Sequence, residues 1–106
     1  MSVADDGTPY ETSSADGAIV REIPITNKRG LHARASAKFV QMVERFDAEI
    51  TVTRNNETVG GNSIMGLMML SAGPGSSIIV SASGAQAREA IDALTELVTT
   101  KFGEDE

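Results

Sequence analysis

Cysteine and tryptophan are both missing from this 106-residue chain, and histidine occurs once. Without thiols there are no disulfides and no thiolate metal sites, a composition that suits a reducing cytoplasm. One imidazole and scattered carboxylates do not make a metal cluster either, so no metal is expected. Aromatic residues amount to only 4%, which leaves no stacking platform for single-stranded nucleic acid. Basic residues are outnumbered nine to fifteen, for a formal charge of −6. General nucleic-acid binding needs a basic face, so that class is disfavoured. No apolar run approaches the roughly 20 residues of a membrane-spanning helix. The N-terminus shows neither the basic nor the apolar region of a signal peptide. The expectation is a cytoplasmic protein with no membrane partner. A Walker-type glycine loop is absent too, and Gly73-Pro74-Gly75 reads as a turn, so no nucleotide cofactor is expected.

What is present divides into a tail and one domain. Residues 1–17 carry Asp5, Asp6, Glu11 and Asp16 with no basic residue, which leaves the remainder at −2. Few large apolar residues occur there, so the segment reads as a disordered acidic tail, either dispensable or a partner-binding arm. Residues 18–106 suffice for one compact domain. Ile19, Ile23 and Ile25 alternate on one face of a first strand, with Arg21 breaking the pattern. Pro24 withholds a ladder donor and points to an edge strand. A loop over 26–31 leads into a helix from about Ala33 to Phe46. A strand over 47–54 follows, and Asn55-Asn56 supplies a hairpin turn before a short return strand at 57–61. Ser63 to Leu70 reads as a short apolar helix. Ile78-Ile79-Val80 centres a strand that is apolar on both sides and therefore interior. The last helix runs from Ala85 to about Phe102, and Gly103 to Glu106 are expected to fray. The order βαββαβα predicts an α+β fold, an antiparallel four-stranded sheet covered on one face by helices.

The chain centres on Gly30-Leu31-His32-Ala33-Arg34-Ala35-Ser36. His32 stands at or just before the first turn of a helix, where backbone N–H groups lack partners and the dipole end is positive. Such an end seats phosphate readily. Arg34 adds forked donors suited to phosphate oxygens, and the imidazole offers a nucleophilic nitrogen that titrates near neutrality. Together these suggest a phosphohistidine site. A merely solvated Arg34 is the plain alternative.

This stretch resembles the Gly-Leu-His-Ala-Arg-Pro-Ala segment of the HPr phosphocarriers of the bacterial phosphoenolpyruvate-dependent phosphotransferase system. Ala35 replaces the family's proline; alanine holds a first helical turn less rigidly and restores one backbone donor. Ser63-Ile64-Met65-Gly66 is a second match, and the resemblance spans about residues 18–106. It implies an open-faced β-sandwich of four antiparallel strands and three helices. It implies a carrier rather than an enzyme, accepting a phosphoryl group on the Nδ nitrogen of His32 from enzyme I. The group then passes to an enzyme IIA-type acceptor. The resemblance also implies regulatory phosphorylation at Ser63, with an HPr kinase/phosphorylase as a further partner, and an exposed apolar patch at Ile64, Met65 and Met68.

From the residues alone, Ser63 is equally a helix cap, and the apolar side chains of this segment are equally core. Met65 and Met68, three apart, share a helical face, and with Met69 they suit a surface that accepts several partners. A monomer is expected. Ala35 and the SIMGLMML stretch point toward a nitrogen-type branch, with sugar uptake left open. The rival function is a regulatory module whose phosphorylation at His32 and Ser63 controls partners without forwarding phosphate.

Overall fold

The computed structural model describes residues 10–13 and 17–104. Helix α1 (Ala33–Val43) forms because its small and apolar residues recur at helical spacing. Ala35, Ser36, Phe39, Val40 and Val43 make one buried stripe. The helix ends at Val43, three residues earlier than the periodicity suggested, and Phe46 packs against the core from the following turn. Helix α2 (Ile64–Met69) is capped by Ser63, and helix α3 (Ala87–Thr99) buries Ala90, Ile91, Leu94 and Val98.

Five strands make one antiparallel sheet: β1 (Tyr10–Ser13), β2 (Ile19–Pro24), β3 (Glu49–Arg54), β4 (Glu57–Gly60) and β5 (Ser77–Ser83), in the order β1-β2-β5-β3-β4. The four expected strands and three helices are all present. Asn55 and Asn56 both take positive φ, +53° and +66°, the backbone that a tight hairpin needs. The apolar strand β5 is central, paired with β2 from Ile19↔Ala82 to Pro24↔Ser77 and with β3 from Glu49↔Ser83 to Thr53↔Ile79. Ile23, Ile50, Val52, Ile78, Val80 and Ala82 point from the sheet toward Phe39, Leu67, Ile91, Leu94 and Val98 of the helices, and all are buried. Among the described residues no helix is long and apolar enough to cross a membrane.

The expectation of an unstructured acidic tail requires correction at Tyr10–Ser13, which forms the fifth strand by pairing with Ile19–Glu22. Composition misses it because backbone pairing and the Glu11 carboxylate on Arg21 and Arg88 leave no apolar pattern in the sequence. The other tail residues, 1–9 and 14–16, lie outside the described residues. Strand β2 is accordingly flanked on both sides instead of lying at an edge. Pro24 is accommodated all the same. The Ile25 N–H donates to Ser76 O at 2.8 Å toward β5, so alternation turns the Pro24 nitrogen to the other side. There it lies beyond Glu22, the last residue that β1 pairs. Arg21, the break in the apolar pattern, faces α3, where it donates to Thr95 Oγ1 and pairs with Asp92.

Candidate functional site

The loop that delivers the histidine is locked by a left-handed glycine. Gly30 has φ +63°, and a Cβ placed on it would lie 2.1 Å from the carbonyl oxygen of Ala72. Only glycine allows both that backbone turn and that approach. The approach lets the Leu31 N–H donate to Ala72 O at 2.9 Å, tying the loop to the segment after α2. Asn27, fully buried, donates from Nδ2 to Gly30 O at 2.8 Å and closes the loop from within. Ser36 is buried beneath it, its Oγ donating to Leu31 O.

His32 is the N-cap of α1, with extended backbone (φ −73°, ψ −179°), so its own side chain folds over the helix start. Nδ1 accepts a hydrogen bond from the backbone N–H of Arg34 at 3.2 Å. Nε2 lies 2.6 Å from Oε2 of Glu104. A neutral ring that accepts at Nδ1 carries its proton on Nε2, which then donates to the carboxylate. The lone pair is thereby fixed on Nδ1, at the positive end of the helix. The side chain keeps 22% of its surface exposed, and its ring borders a shallow cleft of about 210 Å³ with Arg29, Leu31 and Ser71 to Gly73.

Glu104 is held by more than the histidine. Its Oε1 accepts from Asn27 Nδ2 at 3.2 Å, and Lys38 stands close by, donating from Nζ to Phe102 O at 2.7 Å. Burial is the largest single influence on this carboxyl and pushes its pKa up. The hydrogen bonds from His32 and Asn27 and the electrostatic influence of His32 and of the Lys38 ammonium together outweigh it, so the pKa settles below the usual value.

Glu104 reaches this position through three consecutive residues at positive φ: Lys101 at +60°, Phe102 at +58° and Gly103 at +76°. The buried Phe102 ring anchors the turn. The expected fraying therefore does not hold at Gly103 and Glu104, while Asp105 and Glu106 lie outside the described residues.

The other sequence-picked residues divide in two. Arg34 contributes its backbone N–H to the ring, while its exposed guanidinium has no ion pair or hydrogen bond among the described residues. Ser63 caps α2, its Oγ accepting from the Gly66 N–H at 2.9 Å. Of the α2 side chains only Leu67 is buried. Ile64 and Met68 are about 40% exposed, and Met65 and Met69 are 69% and 70% exposed. The reading of these residues as core does not hold. They form an apolar surface on a helix that packs against α1.

Sequence reasoning missed Glu104 and Asn27 as parts of the site. Asn27, three residues before a glycine, carried a turn signal, but nothing local marks Glu104. It also missed Arg29, which borders the same cleft as the ring, and Lys38, which stands beside Glu104. No group of side chains among the described residues could hold a metal ion.

Comparison with known proteins shows the family and the fold. The family model described as "PTS HPr component phosphorylation site" matches residues 19–100. The phosphocarrier protein HPr of Neisseria meningitidis is 51% identical over 86 residues, covering 81% of this chain and 97% of that protein. The phosphocarrier protein NPr of Shewanella violacea is 42% identical over 84 residues, 79% of this chain and 92% of its own. The crystal structure of HPr-C-His from Thermoanaerobacter tengcongensis superposes with a TM-score of 0.78 at 44% identity, covering 82% of this chain and 98% of the other.

Proposed function

Since this chain belongs to the HPr family of phosphotransferase-system phosphocarriers, we propose that His32 accepts its phosphoryl group from enzyme I and passes it to an enzyme IIA-type acceptor. The carrier role itself follows from family membership, and it makes the chain a phosphoryl carrier, not a catalyst in its own right. The observation that supports His32 most directly is the division of labour in its ring. Nε2–H is engaged by Glu104, and Nδ1 lies at the helix start with its lone pair available.

In the transfer, Nδ1 attacks phosphorus, an N–P bond forms, and the bond from phosphorus to the donor breaks. The Arg34 N–H gives up Nδ1 and turns to a phosphoryl oxygen. The remaining unpaired amides of the first turn, that of Ala35 included, and the free Arg34 guanidinium neutralise the other oxygens. Glu104 balances the positive charge that the ring gains as the N–P bond forms. Such chemistry needs alignment and charge compensation above all. The Arg29 and Lys38 charges beside the ring favour approach of a phosphorylated donor.

Docking falls to the exposed side chains of Ile64, Met65, Met68 and Met69, whose flexible thioethers adapt to more than one partner. Ser63 is the regulatory residue, the substrate of an HPr kinase/phosphorylase. A phosphate at this cap is tolerated by the helix end but sets two negative charges beside the apolar patch. The chain works as a monomer in the cytoplasm.

The test is incubation with phosphoenolpyruvate and enzyme I, followed by sugar-type and nitrogen-type IIA proteins in separate reactions. Acid-labile label on wild type, none on His32→Ala, and onward transfer to one IIA class is the expected result. Label that stays on His32 with every acceptor would sink the relay.

A further inference from the structure

Strand β1 lies wholly outside the family match, which begins at residue 19. A relative aligned over 86 residues, 97% of its own length, leaves about a fifth of this chain unmatched. It is therefore an addition to a sheet that is already complete, laid along the outer side of β2.

Two features of that side are specific. The first is its supply of donors. Alternation from the Ile25–Ser76 hydrogen bond turns the N–H groups of Val20 and Glu22 outward, and the next outward position is Pro24, which has none. Pairing is confined to a short stretch, and the four residues of β1 span it, from Tyr10↔Glu22 to Ser13↔Ile19.

The second is a pair of arginines. Arg21 is largely buried and is held from behind by Thr95 Oγ1 at 2.9 Å and Asp92 at 3.0 Å, both on α3. Its guanidinium is thus oriented whether or not β1 is present. Glu11, directly opposite in register, accepts on Oε1 from Arg21 Nε at 3.0 Å, from a second Arg21 nitrogen, and from Arg88 Nη1 at 2.9 Å. A fixed guanidinium beside a short row of backbone donors reads an extended segment and a carboxylate together.

We propose that the outer edge of β2, with Arg21 and Arg88, is a strand-docking site selective for a short segment bearing a carboxylate opposite Arg21, and that residues 10–13 are its tethered occupant. Any other strand that uses this edge has to displace them. The match of register, length and charge argues for this chain's own segment over a neutral or basic strand, which would leave Arg21 facing no acceptor on that side.

The experiment uses the full chain and its Thr12→Pro variant, which removes the donor that β1 directs at Val20. Amide exchange is followed by NMR at Val20 and Glu22, with Arg21 and Ile23, whose amides face β5, as internal controls. The variant is expected to lose protection at Val20 and Glu22 by at least about tenfold while the controls hold.

A synthetic peptide of residues 7–16 is then added. It is expected to restore protection in the variant and leave wild type unchanged, and its Glu11→Gln version is expected to bind at least about fivefold more weakly. Equal exchange at Val20 and Glu22 in wild type and variant would overturn the docked strand. A variant with open amides that ignores the peptide would overturn the site. Equal binding of the two peptides would overturn the carboxylate selectivity, and a wild-type mass of two chains would assign the strand to a neighbour.

Discussion

Nε2 of His32 and Oε2 of Glu104 lie 2.6 Å apart although 72 residues separate them in the chain. The contact fixes which ring nitrogen keeps its lone pair, and it is made by a carboxylate with further partners of its own. Replacing Glu104 by Gln keeps the shape and removes the charge. The expected result is a mixed tautomer population in the nitrogen NMR spectrum of His32. The rate of phosphorylation by enzyme I is expected to fall roughly five- to tenfold, the difference of about 1 kcal/mol between a charge-assisted and a neutral hydrogen bond. An unchanged tautomer ratio would refute this role for Glu104.

Two glycines at positive φ separate steric from conformational demands. Gly30 faces the Ala72 carbonyl, while nothing lies within 4 Å of a Cβ placed on Gly17. Gly17→Ala is expected to cost about 1–2 kcal/mol, the left-handed backbone alone. Gly30→Ala adds a clash with backbone and should cost about 3 kcal/mol or more. Denaturant midpoints of the two variants provide the comparison.

Exposure separates binding from stability on α2. Met65 and Met69 are mostly exposed, whereas Leu67 is fully buried. The double change Met65→Ser, Met69→Ser should move stability by no more than about 0.5 kcal/mol per site, while raising the KM of enzyme I for this carrier. Leu67→Ala should cost about 2–5 kcal/mol in unfolding free energy. Steady-state phosphorylation and urea titration distinguish the two outcomes.

Glu11 is held below the ordinary carboxylate pKa by hydrogen bonds from Arg88 and then Arg21, against burial. Glu104 is held below it despite burial, by His32, Asn27 and Lys38. A carboxyl whose folded pKa lies below its unfolded value binds fewer protons when native. Its stabilisation is complete above the unfolded value of about 4.3 and disappears as pH falls through the lower, folded one. Unfolding free energy should therefore decline from pH 5 downward, and the double variant Glu11→Gln, Glu104→Gln should flatten that decline. Guanidinium unfolding at stepped pH provides the measurement.

Much of this molecule was legible in its residues. Periodic or continuous apolar patterns located β2, β3, β5, α1 and α3, because each buries a face that its own segment encodes, while β4 and α2 were marked by the Asn55-Asn56 turn and the Ser63 cap. His32 and Ser63 were legible as helix starts for the same local reason. Tyr10–Ser13 was not, because an edge strand can be held by backbone pairing and one carboxylate on two arginines, neither of which leaves an apolar pattern. Glu104 was illegible because its placement depends on Lys101 and Phe102 adopting left-handed backbone, which their side chains disfavour and the burial of Phe102 enforces. Pro24 misled for a subtler reason. It marks a missing donor, and the neighbouring strand stops short of it.

The position of β5 between β2 and β3 has a consequence for biosynthesis. Both halves of the sheet wait for residues 77–83, so a nascent chain that has already released its histidine and first helix has no platform to fold them on. Closure is long-range and late, and the imidazole acquires its carboxylate partner on Nε2 only once residue 104 is in place. A chain that lacks the central strand and this carboxylate therefore presents no ordered imidazole.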